Sequence, residues 1–135
     1  RMLVNTVSCG GNLLMNVGPT ARGAFDKRAQ QALSVYADWM AFNSRSIYGC
    51  TMSPFQAPND CRFTQNGKRL YLHVFAWPFR HLHLDDMADK VDYAQLLHDG
   101  SEVAFTANSE TNCLTLQTPI IKPDVTIPVI ELFLK

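Results

Sequence analysis

The spacing of apolar residues changes character near Tyr48–Pro58. Ahead of that point, Phe25, Ala29, Leu33, Tyr36, Met40 and Asn43 recur at helical spacing, with Ala32, Ala37 and Trp39 widening the stripe and Asp26 placed to cap its start. This pattern predicts an amphipathic helix. Leu3, Val4 and Val7 read as the end of an earlier helix that Gly10 terminates. Between the two, Asn12-Leu-Leu-Met-Asn-Val17 is a short, nearly continuous apolar run bounded by Gly10-Gly11 and Gly18-Pro19, the signature of a strand buried on both faces. From Cys61 onward the period falls to two. Cys61–Gln65, Arg69–Trp77, Arg80–Leu84, Val91–Leu97, Glu102–Ala107, Asn112–Thr118 and Thr126–Leu134 are strand candidates, with turns at Asn66-Gly67, Asp99-Gly100 and Asn108-Ser109.

Short, regularly spaced strands joined by such turns predict an antiparallel β-sandwich of about seven strands, so the chain is expected to be mainly β. The front is a different case. A single parallel strand needs strands on both edges and helices on both faces, so helix, strand and helix are expected to be part of a larger α/β domain. The expected organisation is residues 1–49 as the end of that domain, 50–60 as a linker and 61–135 as the sandwich.

Composition narrows the function classes. The chain has 135 residues, 47% of them hydrophobic, and its twelve Lys and Arg balance twelve Asp and Glu. With no net charge there is no long-range field to gather phosphates or anionic lipid, which argues against nucleic acid or a membrane surface as partner. No apolar run approaches the roughly 18 residues of a membrane span. The chain opens on Arg1 without a signal-peptide pattern, and its N-terminus is expected to be cut from something longer. Cys9, Cys50, Cys61 and Cys113 show no zinc-ligand spacing and no compact disulfide framework, so free thiols are expected.

The remaining candidate chemistry is sparse. His81 and His83 share one strand face, with His73 on the strand before, yet no third ligand is placed, and a solvated polar face is the favoured reading. Asp85, Asp86 and Asp89 lack the glycine and spacing of a calcium loop. No metal site and no cofactor is expected. Tyr71, His73, Phe75 and Trp77 alternate with Leu70, Leu72, Val74 and Ala76, making this strand apolar on both faces. Such a row suits either a sugar-binding face or a strand packed on both sides, and packing is the favoured reading.

The run Leu3-Val-Asn-Thr-Val-Ser-Cys-Gly-Gly-Asn-Leu-Leu-Met-Asn-Val-Gly-Pro-Thr20 resembles a segment of the family-29 glycoside hydrolases, the retaining α-L-fucosidases. The similarity continues through Trp39-Met40 and Asn43-Ser-Arg-Ser-Ile-Tyr-Gly49, and more loosely through Phe63-Thr64, Leu70-Tyr71 and Ala76-Trp77-Pro78. It implies that the front is the helix–strand–helix end of a (β/α)8-type barrel and the back its C-terminal sandwich. It further implies release of terminal α-linked L-fucose by double displacement.

Such chemistry needs two carboxyl groups at the ends of barrel strands. The one barrel strand expected here carries none, and the family's chain order puts both ahead of Arg1, so no catalytic residue is assigned to this chain. Asn12 and Asn16 are the candidate substrate-binding or supporting residues, since an amide near the top of a barrel strand can orient a loop or a catalytic side chain. Local backbone hydrogen bonding is the simpler role for both. The resemblance also implies fucosylated glycans as partners and a secreted, periplasmic or lysosomal setting; no Asn-x-Ser/Thr sequon is present. A carbohydrate-binding or structural sandwich module is the alternative function. In either case residues 3–40, deprived of a barrel, are expected to pack on the rest of it or to self-associate.

Overall fold

Two antiparallel sheets, packed face to face, carry the chain from Cys61 to Leu134. The computed structural model describes residues 1–135. Helices α1 (Met2–Ser8) and α2 (Lys27–Asn43) precede strands β1 (Cys61–Asn66), β2 (Arg69–Val74), β3 (His81–Asp85), β4 (Val91–Leu96), β5 (Phe105–Asn108), β6 (Cys113–Gln117) and β7 (Val129–Leu134). One sheet runs β1-β2-β7-β4 and the other β3-β6-β5. Six of the seven strands fall, within a few residues at their ends, where the period-two pattern predicts them, and β5 begins later than expected.

Local chemistry explains the boundaries. Asp26 holds an extended backbone and its carboxylate accepts the Ala29 N–H at 2.8 Å, starting α2 as expected. Helix α1 ends where Gly10, at φ +81°, turns the chain so that the Gly10 and Gly11 N–H groups reach the carbonyls of Val7 and Thr6. Gly67, at φ +58°, closes the tight β1–β2 hairpin between the paired residues Asn66 and Arg69.

The space between the sheets is filled from both sides by Leu70, Leu72, Ile130 and Leu132 of the larger sheet and Leu84, Leu114 and Leu116 of the smaller. Met87 drops into the same core from the β3–β4 turn, anchoring the acidic stretch around it. Strands β2 and β7 lie in the middle of the larger sheet and are buried on both faces, so even the polar residues of their outer face, Tyr71, His73 and Glu131, are enclosed. The outer face of this sheet is covered by α1, α2 and the 3-10 turn Ser44–Ser46, giving three layers. The packed reading of the aromatic strand therefore holds: Tyr71 and Phe75 lie against the helical layer.

Two expectations require correction. Asn12–Val17 forms no strand; residues 11–20 are irregular and mostly exposed, with Leu14 at 88%. A parallel strand is stable only within a sheet, and this chain offers that run no neighbour. The run Glu102–Ala107 is also not one strand. Glu102 bridges to Gln95, and the Val103 N–H donates to the Ala94 carbonyl, so these residues still belong beside β4. The chain then crosses to the other sheet and pairs as β5 from Phe105, turning a corner of the sandwich.

Leu72 and Leu114 face each other's sheets without access to water, and Leu72→Ala or Leu114→Ala is expected to cost about 2–5 kcal/mol by urea unfolding. Leu14→Ala, on the exposed segment, should change stability by less than about 0.5 kcal/mol in the same assay.

Candidate functional site

The polar chemistry of the chain concentrates where the helical layer meets the larger sheet. Strand register sets Thr64 opposite Tyr71, Tyr71 opposite Glu131 and Glu131 opposite Gln95, so one transverse row of polar side chains crosses all four strands. Glu131 is 1% exposed. Its Oε1 accepts from Gln95 Nε2 at 2.6 Å and meets Arg45 Nη2 at 3.4 Å, which compensates a buried carboxylate from the strand side and from the turn after α2. Burial, and then the Glu131 charge beside it, push the Tyr71 hydroxyl up to about 12, so it remains a neutral phenol.

A second chain of hydrogen bonds ties the end of α2 to the sheet. Asn43 Nδ2 donates to the Trp39 carbonyl at 3.0 Å, and Ser46 Oγ donates to the Asn43 carbonyl at 2.7 Å. Thr64 Oγ1 donates its one proton to the Ser46 carbonyl at 2.6 Å. His73 Nε2, 3.1 Å from the same hydroxyl, must therefore carry a hydrogen and donate it, which fixes the tautomer. The imidazole is sealed from solvent, and burial holds its pKa down to about 3. Trp39 completes the seam: its indole donates to the Ile127 carbonyl at 2.9 Å, and its ring centroid lies 6.1 Å from that of His73.

This constellation holds layers together, with its carboxylate, phenol and imidazole all enclosed. Asn12 and Asn16 lie elsewhere, both exposed on the irregular segment ahead of α2, and the fold does not bring them to the seam. His81 and His83 point to solvent from β3, where His83 Nδ1 is 2.9 Å from Thr115 Oγ1 on the paired strand; His73 lies in the other sheet. No three His, Cys, Asp or Glu side chains cluster as metal ligands would. Cys61 is buried, and burial first, then Asp60, push its thiol up to about 11; Cys9 is exposed.

Sequence reasoning missed Glu131 and Arg45. A lone acid inside the apolar run Val129-Ile-Glu-Leu-Phe-Leu134 was the available signal, because an unpaired charge there would be prohibitively costly. Nothing in the sequence pointed to Arg45 as its partner, which is brought close only by the tertiary fold.

Comparisons with known proteins agree on one group. The family model described as Alpha-L-fucosidase matches residues 1–45. An α-L-fucosidase of Dictyostelium discoideum is 32% identical over 97% of this chain, which spans 30% of that protein. The plasma α-L-fucosidase of Homo sapiens is 46% identical over 36% of the chain, corresponding to 10% of its own length. Among solved structures, α-L-fucosidase isoenzyme 1 of Paenibacillus thiaminolyticus superposes with a TM-score of 0.91 at 35% identity, covering 100% of this chain and 33% of that one. A GH29 α-L-fucosidase of Bacteroides thetaiotaomicron gives 0.87 at 25% identity, over 98% of this chain and 30% of its own. The chain thus spans about a third of these relatives, or less.

The seam should respond to acid through His73. Its folded-state pKa lies below the unfolded value of about 6.5, so the unfolded chain takes up the proton first. Stability is then complete above about pH 6.5 and declines as pH falls toward about 3, with a slope of up to about 1.4 kcal/mol per pH unit. Unfolding free energies of the wild type and His73→Gln between pH 7 and pH 4 should converge as pH falls. Parallel curves would contradict a neutral, buried imidazole.

Proposed function

We infer the activity from kinship: the chain belongs to the family-29 α-L-fucosidases, whose C-terminal part it matches, and serves a hydrolase that releases terminal α-linked L-fucose. In this reading residues 1–49 close a catalytic barrel, 50–60 link it to the sandwich, and 61–135 buttress the barrel from outside. The paired carboxylates of a retaining mechanism, about 5–5.5 Å apart, belong to the barrel portion outside this chain. Asn12 and Asn16 take their place near the barrel mouth, supporting substrate or a neighbouring loop. Fucosylated glycans are the substrates, and a secreted, periplasmic or lysosomal location accords with relatives named as plasma and tissue fucosidases.

The observation that carries this reading is the apolar surface left uncovered in the stretch matched to the family, beside a sandwich that already has a core of its own. The sandwich core is closed, with Leu84, Leu114, Leu116 and Leu132 wholly out of water. The stretch matched to the fucosidase family leaves Leu14, Met15, Phe25, Val35 and Phe42 exposed. Apolar residues that find no cover within their own chain are those that a completed barrel would bury.

The test compares hydrolysis of an aryl α-L-fucoside by the chain alone and by the protein that carries it behind a complete barrel. Only the longer protein should turn over. Activity in the chain alone that disappears on changing one of its own acids, such as Asp38→Asn, would place the chemistry here and overturn the reading.

The uncovered residues also predict the behaviour of the isolated chain, which should self-associate through residues 3–40. Light scattering over a concentration series should show a rise in mass that Leu14→Lys and Met15→Lys reduce. A strictly monomeric chain, indifferent to both substitutions, would show that these residues need no cover.

A further inference from the structure

The outer face of the smaller sheet holds a pair of imidazoles that the seam does not use. Along β3, Leu82 and Leu84 turn inward to the core, so His81 and His83, two positions apart, stand together on the opposite face, both exposed. Strand pairing sets Gln117 across from His81 and Thr115 across from His83 on β6. Asp85, also exposed, takes the next outward position on β3. This face is turned away from the larger sheet, and hence from α1 and α2, which cover that sheet's far side. Those helices lie in the stretch matched to the family, so a barrel joined through them would approach from the other side and leave this face open.

Two exposed histidines on a strand form by themselves no more than a solvated face. The fold adds a constraint on one of them: His83 Nδ1 lies 2.9 Å from Thr115 Oγ1, a contact that orients the ring and leaves Nε2 free of protein partners. The hydroxyl can donate or accept and so satisfies either ring tautomer. A metal ion at Nε2 selects the form in which Nδ1–H donates to Thr115, which is how proteins commonly orient a ligating imidazole.

Spacing and donor type agree with such a role. Side chains two positions apart on a strand start about 6.6 Å from each other, and imidazoles leaning together from that distance can bring their Nε2 atoms to the roughly 3 Å that separates adjacent ligands of one ion at about 2.0–2.1 Å. Imidazole suits Ni²⁺, Cu²⁺ and Zn²⁺, whereas Mg²⁺ and Ca²⁺ require oxygen. No third side-chain ligand completes the set, so the other coordination positions belong to water, with the Asp85 carboxylate adding negative charge on the same face.

We propose that His81 and His83 chelate one divalent transition-metal ion through their Nε2 atoms, with Thr115 as the residue that positions His83. The site is separate from the fucoside chemistry proposed above and does not rest on it.

The probe is NiCl₂, titrated into the full chain at neutral pH and followed by calorimetry and by the histidine ring signals in ¹H–¹³C spectra, which paramagnetic Ni²⁺ broadens where it binds. The chain has four histidines, and His73, sealed in the seam, and His98, beside Asp99, serve as internal references. Saturable broadening of His81 and His83 together, at one ion per chain, is expected, with the two references sharp and MgCl₂ without effect. His81→Gln and His83→Gln should each weaken binding more than about tenfold, and Thr115→Val by up to about tenfold, the smaller cost of losing an orienting partner. Replacing Cys9 and Cys113 by Ser, which removes the exposed thiol and the one opposite Asp85, should leave the affinity unchanged. Absence of saturation, broadening of one ring alone or of His98 equally, or loss of binding with the two cysteines would overturn the proposal on spectra that need no histidine variant to fold. An affinity that ignores His81→Gln or Thr115→Val in a folded variant would overturn it as well.

Discussion

The structure depends on covering the second face of the four-stranded sheet. One face is buried by the smaller sheet, a usual requirement in a sandwich. The other carries a row of polar groups, Thr64, Tyr71, Glu131 and Gln95, that would be costly to enclose without partners. Enclosure becomes tolerable because the turn after α2 delivers Arg45 to Glu131 and the Ser46 carbonyl to Thr64. The row thereby fixes where the helical layer sits. Hydrophobic residues alone, such as Val4, Val7 and Ile47, would favour contact without specifying one register.

This arrangement explains how two segments of different character form one unit. Helix α2 touches the sheet through Trp39 and Asn43, leaving Val35 and Phe42 on flanking or outward positions. One side of the helix is thus specified by hydrogen bonds to the sandwich. Another keeps the apolar surface expected of a helix with a further partner. The seam accounts for the first surface, and the second is the one that the barrel proposed above would cover.

Much of the fold was legible in the sequence because it rests on local chemistry. Period-two runs located the strands, Asp26 marked the start of α2, and Gly10 the end of α1. The failures have a common cause. Asn12–Val17 has the composition of a buried strand, but strand formation depends on neighbours that this chain lacks. Glu102–Ala107 alternates correctly, yet its pattern cannot reveal that pairing switches from β4 to β6 partway along. The candidate site was less legible still: Glu131 meets Arg45 across 86 positions of sequence, a pairing that only the tertiary arrangement creates.

The position of β7 has a bearing on how the chain is made. Val129–Leu134 inserts between β2 and β4, which are synthesised well before it and have no direct pairing with each other. Until that stretch emerges from the ribosome, β2 and β4 each present an unpaired edge, and the larger sheet exists only as separate pieces. Folding of the sandwich must therefore wait on translation, and the nascent chain has to be kept from joining the wrong edges in the interval. A stop introduced after Pro128 would leave the centre of the sheet missing, so the truncated product should meet protein quality control as an unfolded chain.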